Sequence, residues 1–119
     1  MAELSGEERR TQLQQELETY FENDERVSDP SEHVSFQPDE QSEIKYPHIV
    51  YNRDPAYKLY ADNTRYLHQD KYVMTYIDRK PDSLVFDELE KRPYCSHRTS
   101  FVEDGLYHHV FDLYHRQGV

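Results

Sequence analysis

The sequence predicts an α+β fold: an antiparallel sheet with an N-terminal helix and a second short helix packed on one face. Three observations lead there. Residues 4–26 repeat apolar side chains at helical spacing. Beyond residue 45 the chain turns to short β-branched and aromatic runs bounded by turn residues. Between two of those runs, Lys80-Pro81-Asp82-Ser83 opens one more helix. The expected order is α-β-β-β-α-β-β in a single domain over 1–119. Residues 1–26 hold the helix, 27–45 a polar loop with a short strand, and 46–119 the sheet and second helix.

In the first helix Leu13, Leu17, Tyr20 and Phe21 stand at i, i+4, i+7 and i+8, on one face. Ser5 with Glu8 fits a capping box, and Glu7 and Glu8 suit the positive end of the helix dipole. The helix is expected to end near Asn23-Asp24. The stretch 27–45 is punctuated by Asp29-Pro30 and Gln37-Pro38. Between them His33–Phe36 reads as a short strand with Val34 and Phe36 on one face, at a sheet edge because prolines flank it. Tyr46–Asn52 is the next strand. Lys71–Asp78 is the best strand of the sequence, with Tyr72, Met74 and Tyr76 on one face and Val73 and Ile77 on the other. A strand apolar on both sides belongs at the centre, with a helix on one face and another layer, such as a neighbouring subunit, on the other. The second helix spans about 84–92 with Val85, Phe86 and Leu89 on one side, capped by Asp82 or Ser83 and stopped by Pro93. Ser96–Val102 and Leu106–Arg116 then form a hairpin around Glu103-Asp104-Gly105, since Asp-Gly favours a tight turn.

Charge and composition narrow the function. There are 119 residues, with 24 Asp and Glu against 14 Lys and Arg, a net charge of −10. Such a surface disfavours wrapping a phosphate backbone, which needs cations to displace counterions. No apolar run approaches the ~20 residues that cross a bilayer, so no membrane partner is expected. The start MAELSGEERR does not read as a secretion signal. The mean hydropathy of −1.09 leans toward disorder. Eleven tyrosines and five phenylalanines pull the other way, because hydropathy scales undervalue buried tyrosine rings. A chain this short has a small core, and association between copies would add to it.

Catalytic signals are weak. His108 and His109 are adjacent, so on a strand they face opposite ways. Cys95, His97 and one of those two histidines are the best metal constellation, but no pattern of known ligand spacing accompanies them. The adjacent carboxylates read as solvated faces, and no Gly-rich phosphate loop or activated nucleophile is present. No catalytic residue, metal or cofactor is assigned, and the chain is not expected to be an enzyme. The rings are more informative, because aromatic residues are enriched at protein interfaces. Tyr57, Leu59, Tyr60, Tyr66, Tyr72 and Tyr76 are the candidate interface residues. Asp39, Glu40 and Glu43 form a candidate acidic surface.

Three segments carry a family resemblance: Tyr46-Pro47-His48-Ile49-Val50-Tyr51, the run from Tyr72 through Asp78-Arg79-Lys80 to Ser83, and Leu106–Tyr114 after Pro93-Tyr94-Cys95. With the preceding helix and polar loop they resemble the tail terminators of long-tailed bacteriophages, also called tail completion or head–tail joining proteins. The resemblance implies a structural virion protein of the neck, assembled in the host cytoplasm. Copies form a ring, a hexamer, that caps the tail tube and joins it to the head connector. Partners would be further copies, the major tail tube protein and the connector or stopper protein, with DNA only as transiting cargo. Asp39, Glu40 and Glu43 would then face the lumen or the tube, where like charge keeps DNA from sticking. Another head–tail connector is the nearest alternative. A small metal-binding protein or an acidic DNA mimic is a more distant one.

Overall fold

Ser5 and Glu8 open the first helix as expected. In the computed structural model, which describes residues 5–39, 41–54 and 69–116, the Ser5 hydroxyl accepts from the Glu8 N–H and the Glu8 carboxylate accepts from the Ser5 N–H. Helix α1 runs Gly6–Thr19 and so ends earlier than Asn23. No basic residue supports its last turn, and the chain tightens into i→i−3 bonds, with the N–H groups of Tyr20, Phe21 and Glu22 donating to Leu17, Glu18 and Thr19. The tightened turn still delivers Phe21 to the core beside Leu13 and Leu17, all three fully buried.

A 3₁₀ turn, Pro30–His33, leads into β1 (Val34–Phe36). The remaining elements are β2 (His48–Arg53), β3 (Gln69–Asp78), α2 (Leu84–Lys91), β4 (Cys95–Glu103) and β5 (Leu106–Arg116). They form one five-stranded sheet in the order β1-β2-β3-β5-β4, so β3 is central and β1 and β4 are the edges. Three of the four pairings are antiparallel; β1 pairs β2 in parallel, which makes the sheet mixed where the sequence led us to expect antiparallel pairing throughout. The reason lies in contacts that fasten β2 beside the start of β1. By Pro47 the chain is back beside the start of β1, where the His33 Nδ1–H donates to the Pro47 carbonyl at 2.6 Å. Beside it His48 Nδ1–H donates to the Lys45 carbonyl, and the Ser35 hydroxyl then donates to His48 Nε2 at 2.8 Å.

Ser83 caps α2 by accepting from the Val85 N–H. The β4–β5 hairpin closes through Asp104 (φ 54°) and Gly105 (φ 75°), two consecutive left-handed residues that give a turn whose twist matches the strands. Both helices lie on one face of the sheet. Leu13, Leu17 and Phe21 of α1 and Val85 and Leu89 of α2 pack on Ile49, Tyr51, Tyr72, Met74, Tyr76, Phe111 and Leu113. Every one of those strand residues falls on the same face by register.

Candidate interaction surfaces

The register sorts the other face of the sheet into rows. His48, Ile77, His108 and Phe101 stand side by side across β2, β3, β5 and β4. Val50, Thr75, Val110 and Thr99 form the next row, and Asn52, Val73, Asp112 and Ser96 the one after. His48 and Ile77 are buried at one end, whereas Val50, Val73, Thr75 and Val110 are only half-buried. Among the described residues no helix packs on this face. The central strand thus shows both apolar faces, and the helices cover one.

The uncovered face has a polar border. Lys71 sits 2.9 Å from Asp54 and 3.5 Å from Asp112, with its ammonium 5.8 Å from the Tyr114 ring centroid. Arg98 pairs with Asp112 from β4. Toward the hairpin the face turns aromatic: Phe101 stacks on His108 with centroids 4.7 Å apart and planes 8° from parallel. Phe101 remains 45% exposed and Val102, on the opposite side of β4, 61% exposed. All of β4 after Cys95 is exposed, and Arg98 is an extra residue that breaks its ladder with β5.

The expected site residues divide three ways. Tyr57, Leu59, Tyr60, Tyr66 and Glu40 lie outside the described residues. Tyr72 and Tyr76 are fully buried beneath the helices, so the structure assigns them to the core and not to a contact surface. Their face of β3 is the one α1 reaches: Tyr72 meets Tyr51 edge-on at 5.6 Å, and Tyr76 lies 6.3 Å from Phe21. Asp39 and Glu43 are exposed, and the Asp39 carboxylate accepts from the Gln41 N–H and the Ser42 hydroxyl, which shapes the acidic turn.

The histidine constellation separates. His97 and His109 share the helix-covered face, 6.1 Å apart, with Ser100 hydrogen-bonded to both and Phe86 packed on His109 at 4.3 Å. His108 points to the opposite face. Cys95 is half-buried next to the core, and burial pushes its thiol up to about 11, away from the reactive thiolate. Among the described residues no three His, Cys, Asp or Glu side chains stand close enough to hold a metal.

One arrangement has no counterpart in the sequence reading. Asp78, fully buried at the end of β3, accepts from both terminal nitrogens of Arg26 at 2.7 and 3.0 Å, from the Tyr76 hydroxyl, and from the Lys80 N–H. Burial alone would push its carboxyl up. The Arg26 guanidinium and the Tyr76 hydroxyl outweigh that and hold it below the usual carboxylate range. Arg26 is also pinned by Asp24, and Tyr76 reaches Ser83 at the start of α2. The network ties the segment after α1 to β3 and to the second helix. It borders an open groove of about 690 Å³ lined by residues of 19–26 and 80–88, where Asp24 and Arg26 pair with each other and Glu25, Lys80, Asp82 and Glu88 add further charge. Arg26 lies 52 residues from Asp78, so no spacing rule in the sequence signals the pair.

No family model matches the chain, and neither do any curated protein or solved structure. No helix among the described residues is long and apolar enough to cross a membrane.

Proposed function

We propose that this chain is a structural subunit of the neck of a long-tailed bacteriophage, whose copies form a ring capping the tail tube and joining it to the head connector. The observation that supports the reading best is the central strand with two apolar faces and helices on only one of them. A half-buried stripe of Val50, Val73 and Val110 is a surface that a neighbouring copy or a tail protein can complete. The three segments that carry the family resemblance correspond to β2, to β3 with the α2 cap, and to β5. The net charge of −10 suits a passage that DNA slides through without binding. On this reading the exposed Asp39 and Glu43 face the lumen or the tube.

The direct test is to look for the protein in purified virions and locate it by cryo-microscopy. A ring between tube and connector supports the assignment, and absence from virions removes it. Two variants refine it. Val73→Asp combined with Val110→Asp places charge on the stripe without touching the helix-covered core, and should leave the fold intact while blocking tail–head joining. Asp39→Lys with Glu43→Lys should also fold normally and yield tails defective in joining or in DNA passage. Full infectivity in both variants would count against the reading.

A further inference from the structure

From the geometry of β4 we infer that its outer edge, which pairs with no strand among the described residues, pairs antiparallel with β4 of a second copy, about a two-fold axis through Phe101. The two-residue turn sets which backbone groups are free. Glu103 and Leu106 flank it, so they exchange hydrogen bonds, and so do Phe101 and His108 two residues on. Ser100 and Val102 therefore aim their N–H and C=O groups away from β5, along an edge where every side chain after Cys95 is exposed. Antiparallel pairing centred on Phe101 sets Ser100 of one copy opposite Val102 of the other. Each of the two such pairs makes two backbone hydrogen bonds, and the side chains stay on matching faces.

Charge selects both the occupant and the direction. The strand CSHRTSFVE holds one arginine and one glutamate, a neutral edge on a chain of net charge −10. Two copies meet there with little charge repulsion. Arg98 lies toward one end of the strand, and Glu103 with Asp104 at the other. Antiparallel pairing brings each guanidinium, 48% exposed, toward the acidic end of the second copy, whereas parallel pairing sets like against like. At the centre the two Phe101 rings face each other, each already stacked on its own His108. The Arg98 bulge ends the ladder, which keeps the contact short and closed and limits further strand addition. A two-fold contact does not propagate around a ring. The inference thus concerns the free chain and stands apart from the ring reading.

Cross-linking tests it. In a Cys95→Ser background, Phe101→Cys places the two sulfurs on a facing non-hydrogen-bonded pair, whose Cα atoms stand about 4.5 Å apart, within disulfide reach. Val102→Cys in the same background is displaced along the strand and turned to the other face. Mild oxidation of the full chain should link Phe101→Cys rapidly into a species of twice the 14.4 kDa chain mass, and Val102→Cys at least tenfold more slowly. Independently, Val102→Pro removes an outward N–H and should convert a dimer, measured by sedimentation, to monomer. Equal cross-linking at both positions, a monomeric native chain at 100 µM, or a dimer that survives Val102→Pro would overturn the inference. A free hexamer with no cross-link at position 101 overturns it while sparing the ring. A cross-linked dimer absent from virions does the reverse.

Discussion

Replacing Asp78 by asparagine keeps the shape of the side chain and removes its charge. In the native protein the carboxylate takes four donors: two from Arg26, one from Tyr76 and one from the Lys80 N–H. The amide has one carbonyl oxygen and an NH₂ that faces donors. The Arg26 side chain is 31% exposed and keeps Asp24, so it is not left as a bare buried charge and the largest penalty for a broken ion pair does not apply. The loss is of charge-assisted hydrogen bonds, each a net contribution of roughly 1.5–3 kcal/mol, and with part of the network kept by the amide we expect about 3 kcal/mol in total. At an unfolding entropy of about 2 cal/mol/K per residue, that lowers the melting temperature by roughly 12 °C. The native carboxyl titrates below its unfolded value, so its contribution is fully present above about pH 4 and is lost as the pH falls through the native value. Thermal melts followed by far-UV circular dichroism at pH 7, 5, 4 and 3 measure both effects. The variant should start lower at pH 7 and lose less between pH 4 and 3 than the native chain. A fall under 3 °C at pH 7, or an unchanged acid slope, refutes the view that Asp78 anchors the junction of α1, β3 and α2.

Other consequences are checked with the same purified chain. Ser5→Ala removes one half of the capping box and should cost about 1 kcal/mol in urea denaturation, with no change in the slope. Burial lowers the titration of His48, His109 and His115, so folding favours their neutral forms. Stability should be complete above the unfolded histidine value near pH 6.5 and decline below it, and His48→Gln should flatten that decline in melts between pH 7.5 and 5. Cys95, with its thiol pushed up to about 11, should react with Ellman's reagent at pH 8 far more slowly in the native chain than in urea.

Local patterns made much of the fold legible. The capping box at Ser5, the helix face of Leu13, Leu17 and Phe21, the Ser83 cap and the Asp104-Gly105 turn are all settled by residues a few positions apart. Apolar residues on both faces of β3 likewise signal its central place in the sheet. The direction of β1 was not legible. It depends on a return loop fastened by His33 to Pro47 and by Ser35 to His48, contacts that span 13 or 14 residues. Two of the tyrosines expected at an interface, Tyr72 and Tyr76, lie in the core for a related reason. Tyr72 and Tyr76 look the same as interface rings in sequence, and only the side on which α1 settles makes them core.

What the sequence determined by itself is therefore what short-range physics controls: element type and order, caps, turns, the two apolar faces of the central strand, and the large negative charge. What only the tertiary structure decided is which of those faces α1 and α2 cover and which they leave uncovered. It also decided that Arg26 reaches Asp78, and that β4 ends up as an exposed edge. Each of these depends on distant segments competing for the same surface. Burying one face of β3 under α1 and α2 engages both α-helices of the described residues, and neither packs on the opposite face.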